Sequence, residues 1–392
     1  MPRSFPAEVD LAKITFADGA AEKKEYTIQV VTPLFGGGVE AGKNDPDMLI
    51  RAASIRGHLR FWWRATRGAE YSSVDKMRAA ESDIWGSTEK PSEIGVRVKI
   101  ENNGKVFANG QPAYALFPFQ ENRRLNKPAK TGIEGIKFTL TLTYPKEWAR
   151  WHEVEIALWA WVNFGGIGAR TRRGCGALFC AGLAFRKFSL PKKYRLLLGK
   201  EKTSATTAWN DIIEIYKSFR QAPHGRNGSQ GRSLWNEPDA IRKITGKTSK
   251  RHQENFPAKP AQTVFPRAEF GLPIIFHFKD QREGDPGDTE LLPFIKDGSA
   301  DRMSSPLILK PLALDNNKFV PAALLLNDHP LEKVILKKSG TETPFPVRLP
   351  AAAYDKSPLK NRAPNGSALA GALAGFRKFL TGKENNFTEV TP

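Results

Sequence analysis

Two glycine-rich segments limit what this chain can fold into: FGGGVEAGKND at residues 35–45 and FGGIGARTRRGCG at residues 164–176. Three consecutive glycines, Gly36, Gly37 and Gly38, permit positive φ and let another backbone come close. The second segment repeats the theme at Gly165, Gly166, Gly168 and Gly174. Ahead of the first lies a run over 26–31 that reads as a buried strand, ended by Thr32-Pro33. A helix is expected over 48–66 and a shorter one over 74–84. Strands are expected over 94–100, 113–117 and 136–144, the last alternating cleanly as KFTLTLTY. A tryptophan-rich helix over 147–164 leads into the second glycine segment, and a strand returns over 177–184. Strand, glycine loop, helix, strands, helix, glycine loop, strand is an elaborated β-α-β-β-α-β unit. That is the α+β, ferredoxin-like arrangement, also used by RNA-binding sheets.

The charge balance points to a partner. Sixty Lys and Arg against 41 Asp and Glu leave a net charge of +19, which the folded state must tolerate against its own repulsion. A polyanion is the usual reason, nucleic acid most often, with an anionic membrane surface as the rival. No run of about 18 apolar residues and no signal-peptide pattern is visible, so a cytoplasmic, non-membrane protein is expected. Cys175 and Cys180 are too few for a disulfide framework or a zinc site and read as small buried residues. The six histidines lack HxxxH or HExxH spacing. No GxSxG or DFG-type set is present, so no cofactor or metal is expected. The stretch GGVEAGKN (37–44) nearly imitates a P-loop, and Gly36, Gly38 and Ala41 nearly a GxGxxA turn. Both need a helix directly afterwards, and the turn-forming NDPD follows instead.

Five arginines ride on LIRAASIRGHLRFWWRATRG (49–68). On a helix, Arg56, Arg60, Arg64 and Arg67 fall within about 80° of one another. Ile55, Leu59, Trp62 and Thr66 form a separate, mainly apolar stripe, with Trp63 at its border. Guanidinium groups match phosphates in a two-pronged way and indoles stack on bases, so Trp63 either stacks on a base or packs against a neighbouring helix. Trp62, Trp159 and Trp161 read as core. The second glycine segment concentrates Arg170, Arg172 and Arg173 with no acid nearby, a phosphate-binding focus or else a solvated turn. The first would lie along an RNA backbone with Lys43 at a phosphate, or else be a plain tight turn. His58 points about 140–160° away from the arginine stripe, which favours a structural or surface role over general-base chemistry. His224, in a polar loop over 222–232, is a weaker candidate. Asp45 and Asp47 read as caps for a helix at Met48 rather than as metal ligands.

Composition shifts at SLPK (189–192), giving expected domains of 1–188 and 189–392. In the second, helices are expected over 209–219 and 367–380, a basic segment over 243–259, and strands over 271–279, 305–314 and 319–326.

The motifs TPLFGGG, IRAASIRGHLRFWWRATRG and FGGIGARTRRGCG, with SPLILKPLAL in the second half, resemble the RAMP superfamily of CRISPR proteins, in particular its members in type III-B (Cmr) effector complexes. The resemblance implies two ferredoxin-like domains in tandem. It implies a non-catalytic, RNA-binding subunit at the end of a filament of neighbouring Cmr RAMP subunits, near the 3′ end of the guide (CRISPR) RNA. There it would help capture target single-stranded RNA for antiviral defence, while a separate subunit cuts. Carried over, the binding face includes Lys43, Ser54, Arg56, Arg60, Trp63, Arg170, Arg172 and Arg173; Arg64 and Arg67 join it through charge. Some RAMP proteins are metal-independent endoribonucleases, which is the alternative.

Overall fold

The computed structural model describes residues 21–38, 40, 42–123, 126–221, 235, 237–254, 263–295, 298–314, 318–326, 331–337, 343–350, 359 and 369–390. Its first sheet is built from β1 (Ala21–Val30), β2 (Gly95–Asn102), β3 (Lys137–Pro145) and the two-residue β4 (Leu178–Phe179), in the order β2-β3-β1-β4 and antiparallel throughout. Alternation sets the faces: Phe138, Leu140, Leu142 and Tyr144 are buried, while Thr143 is exposed and Thr139 and Thr141 half-buried. A period of two sends alternate residues to opposite sides. Register places Ile28 opposite Phe138 and Tyr26 opposite Leu140, so one apolar face forms. Helices α1 (Ala52–Ala65) and α3 (Trp151–Phe164) share one core with that face; α2 (Val74–Trp85) flanks α1. The other face carries Lys23, Glu25, Gln29 and Lys99, all exposed.

The second half traces the same chain order again. Strand β5 (Arg195–Leu198), helix α4 (Ala205–Gln221), strands β6 (Leu307–Ala313) and β7 (Phe319–Leu325), helix α5 (Ala372–Thr381) and strand β8 (Thr388–Val390) follow one another. The sheet order is β6-β7-β5-β8, again antiparallel. In both sheets the second, third, first and fourth strands of the set lie side by side. A separate small sheet grows from two excursions. Ile274–Phe276 and Thr289–Ile295 precede β6, and Lys333–Lys337 and Phe345–Pro346 follow β7. It has its own core around Ile241, Phe265, Leu291 and Val334.

The two halves interlock through β6, whose seven residues are all buried. Ile308 and Leu312 join the core of the first half, while Leu307 and Leu309 pack with Trp209 and Ile213 of α4. Helix α3 therefore lies between two sheets. Its residues from Ala157 to Phe164 are buried without a break, as expected of a helix apolar all round. Lys310, on the same face of β6 as Ile308, donates to the carbonyls of Val162 (3.2 Å) and Gly165 (3.0 Å) at the end of α3. Those carbonyls have no partner within the helix, and the helix dipole favours a cation there.

Several expected elements changed. Residues 113–117 form a short helix, Ala113–Leu116, not a strand. Gln111 accepts a hydrogen bond from Ala113 N at 3.1 Å, and a short apolar run does not by itself separate strand from helix. Helix α1 starts at Ala52, not Met48; Asp45 Oδ1 instead closes a turn by accepting from Asp47 N and Met48 N. Helix α3 starts at Trp151, since Glu147 has φ +58°. The strand over 177–184 shrinks to two residues because the chain turns at Cys180, whose carbonyl accepts from Leu183 N at 3.0 Å, and α3 then holds the turn, Asn163 donating to Leu183 O and Trp159 to Ala184 O. Helix α5 starts at Ala372, with Leu369–Ala370 pairing as a strand instead. His224 and the 222–232 loop lie outside the described residues. Among the described residues, no helix is long and apolar enough to cross a membrane.

Burial pushes the Lys310 ammonium down to about 7, whereas an unfolded lysine titrates near about 10.4. Between those values the unfolded chain holds a proton that the folded chain lacks, so stability rises with pH from about 7 to about 10. Below about 7 both states are protonated and that gain is gone. Lys310→Met should flatten this part of the stability curve relative to the wild type, read by urea unfolding across the window. Equal slopes in the two proteins would contradict the assignment.

Candidate nucleic-acid interface

The two glycine loops dock on each other. Ala169 N donates to Phe35 O (2.6 Å), Gly176 N to Pro33 O (2.9 Å), and Thr32 Oγ1 to Gly174 O (2.6 Å). Gly36 and Gly168 have φ of +72° and +84°. A Cβ on Gly168 would sit 2.5 Å from Phe35 O, and one on Gly36 3.2 Å from Ala169 Cβ. The close backbone approach that the glycines permit is thus loop on loop. Lys43 lies exposed on the first loop, but its ammonium pairs with Glu40 at 2.5 Å and holds that carboxylate below its ordinary pKa. Gly38 N closes onto Lys43 O, and Arg51 donates to Gly37 O.

On α1, Ile55, Leu59, Trp62 and Trp63 are buried. Trp63 is 0% exposed and donates its indole N–H to Glu153 (2.9 Å). It presents no face to a base, which corrects the stacking expectation. The arginine stripe faces α2. Arg56 donates to Trp85 O, and Arg60 and Arg64 share the carboxylate of Glu81 at 2.8 and 2.7 Å. Glu81 is only 3% exposed. Arg67 pairs with Glu70 at 2.8 Å. Ser54, half-buried, sits in the first turn. These arginines remain partly exposed, with much of their charge answered inside the fold.

The second loop is different. Among the described residues, none of Arg170, Arg172 and Arg173 pairs with a carboxylate. Arg173 donates to the carbonyls of Arg172 (2.9 Å), Leu307 (2.9 Å) and Phe270 (3.3 Å), to Ser305 Oγ (3.2 Å) and to Tyr216 OH (3.2 Å). Its guanidinium lies 4.9 Å from the Tyr216 ring centroid. Burial raises the Tyr216 phenol, but Arg173, Arg220 and Arg170 more than offset that and leave it below its usual pKa. Arg172 donates to Ser305 O and lies 5.6 Å over the Phe61 ring. Arg170 takes a left-handed backbone (φ +58°), and its Nε is buried without a partner. Burial, then the neighbouring Arg173, lowers the pKa of both Arg170 and Arg172.

Helix α1 meets this loop through Phe61 and His58, which line a cavity of about 250 Å3 together with Arg172 and Gly166. At about 100° per residue, Phe61 lies about 100° and His58 about 160° around α1 from the middle of the arginine stripe. The stripe and the loop arginines therefore occupy different sides of α1, which corrects the expectation that they belong to one binding face. His58 is buried enough to lower its pKa, and its ring stacks on Trp161 with centroids 6.0 Å apart. Sequence reasoning missed Phe61, Tyr216 and Lys310. Phe61 alone left a signal, standing off the apolar stripe. His252, Asp280 and Asp285 bring ligand atoms within 4.8 Å of one another, but Arg242 already binds Asp285 at 3.0 Å.

Residues 27–179 match the RAMP superfamily model. The family resemblance carried by the loops and the arginine-rich helix therefore stands for that part of the chain. Two relatives from Pyrococcus furiosus are each 28% identical. Cmr subunit Cmr1-2 aligns over 177 residues, 39% of this chain and 92% of that protein. Cmr1-1 aligns over 138 residues, 33% of this chain and 40% of that one. Among solved structures, apo Cmr1 from Pyrococcus furiosus is 14% identical with a TM-score of 0.48, covering 94% of this chain and 98% of that one. A chain of the type III-B Cmr-β complex bound to cognate target RNA is 15% identical with a TM-score of 0.30, over 41% and 59%.

Replacing Gly168 by alanine forces a Cβ onto Phe35 O at positive φ and should destabilise the protein by about 2–4 kcal/mol. Gly182→Ala, where no heavy atom lies within 4 Å, should stay within about 0.5 kcal/mol. Denaturant unfolding checks the pair; equal stabilities would show that the loops do not depend on this approach.

Proposed function

We propose that this chain, whose residues 27–179 match the RAMP superfamily, is a non-catalytic RNA-binding subunit of a type III-B (Cmr) CRISPR effector complex. Its place is at the filament end, near the 3′ end of the guide RNA, where it helps capture target RNA in the cytoplasm. Its direct partners are neighbouring RAMP subunits. Both halves are ferredoxin-like domains in this reading, supported by the twice-repeated strand order. The Cmr1 relatives support membership of a Cmr complex.

One observation carries the RNA-binding role: three arginines on one short loop, Arg172 and Arg173 held by carbonyls, a hydroxyl and a phenol, with no described carboxylate to neutralise any of the three. Such a focus binds a sugar-phosphate strand without reading sequence, as a guide-based complex requires. The free face of the first sheet contributes less, since its described side chains are mixed in charge and carry no exposed aromatic ring. As a nuclease site the region is poor. Cleavage at a 2′-hydroxyl needs both a base and an acid, and the cavity at His58 pairs it with Arg172 and Thr171.

Binding of single-stranded RNA should weaken steeply with salt, with a log–log slope near about −0.7 per phosphate contacted. Arg170→Gln and Arg172→Gln should each lower affinity roughly tenfold and reduce the slope by about one contact. Arg60→Ala, which leaves Glu81 paired with Arg64, should change affinity less than about threefold. Filter binding across a salt series measures all three. A larger loss for Arg60→Ala than for Arg172→Gln would move the interface to the α2 side of α1. RNA should come through the incubation uncleaved without metal; cleavage abolished by His58→Ala would favour the ribonuclease alternative.

A further inference from the structure

We propose that the cavity beside the second glycine loop takes one unstacked base of the bound RNA strand, with Phe61 as its stacking platform. This rests on the RNA-binding reading and deepens it. A space of about 250 Å3 is smaller than the roughly 300–1,000 Å3 of drug-sized sites and far larger than the ~30 Å3 of one water. It suits a single planar ring system. Its walls come from both halves of the chain: His58, Phe61 and Trp62 from α1, Gly165 and Gly166 from the loop, and Ile308 from β6.

Phe61 stands apart from the other aromatics of this helix. Trp62 and Trp63 are buried, whereas Phe61 is 39% exposed with the Arg172 guanidinium over it. A ring for the base and a guanidinium for the phosphate beside it is the recurring combination at single-stranded sites. Gly165 and Gly166 leave their part of the wall without side chains. A Cβ on Gly165 would lie 2.7 Å from Trp62 Nε1, and one on Gly166 2.9 Å from Gly176 O. His58 is held flat against Trp161, with planes 11° apart. Neutral imidazole offers one donor and one acceptor nitrogen, enough to meet the edge of any base without selecting one.

The test compares two probes, a single-stranded RNA decamer and a sugar-phosphate decamer lacking its bases, each titrated into the purified chain. The wild type should bind the intact strand about five- to a hundredfold more tightly than the baseless one. Phe61→Ala should bring that ratio close to one, and Phe61→Trp should preserve it, with thermal melting confirming that both variants fold. If the wild type binds both probes equally, or Phe61→Ala keeps the ratio, this proposal falls and the backbone-binding reading survives. If the wild type binds neither probe, the RNA-binding reading fails and takes this one with it. A free nucleoside monophosphate that saturates the cavity while the probes bind equally would assign it to a soluble nucleotide, and would also overturn the proposal.

Discussion

The contact on which the rest depends is the second glycine loop clamped between the two halves of the chain. On one side Gly168 leaves room for Phe35 O. On the other, a Cβ on Gly174 would lie 2.4 Å from Trp209 Nε1, and that indole donates to Arg173 O. The same loop is tied to β6 by Arg173 and to the segment before it by Arg172. A side chain at Gly174 would push the halves apart, and one at Gly168 would push the second glycine loop off the first. Glycine's freedom to take positive φ is used here for assembly: it brings first-half arginines against second-half carbonyls, and the cavity forms at the seam.

This arrangement also explains how a cluster of like charges survives inside a fold. Burying guanidinium groups is unfavourable unless their donors are met. Arg173 meets that condition with three carbonyls, a hydroxyl and a phenol, none carrying a full negative charge. The hydrogen bonds are satisfied while the positive field remains. On α1 the solution is the opposite, since Glu81 answers two arginines at once. Two segments equally rich in arginine therefore differ in what they offer a polyanion.

Much of this was legible beforehand. The alternation of KFTLTLTY fixed β3 and its buried face, and the tryptophan-rich stretch marked α3. The boundaries of α1 and α3 slipped by a few residues, where Asp45 closed a turn and Glu147 took a left-handed backbone. The fate of the arginine stripe was not legible. Glu81 is one acid among several in its segment, and only the packing of α2 on α1 singles it out. Trp63 was misjudged for the same reason: its partner Glu153 lies 90 residues away. Periodicity reports which residues share a face; it does not report what covers that face.

The central claim is that the charge left unneutralised on the second glycine loop is what receives RNA. Ultraviolet crosslinking of single-stranded RNA to the protein, with adducts mapped by mass spectrometry, tests it most directly. Adducts should fall on peptides from residues 164–176 and on the peptide carrying Phe61. Adducts confined to the free face of the first sheet, at Lys23 or Lys99, would contradict it.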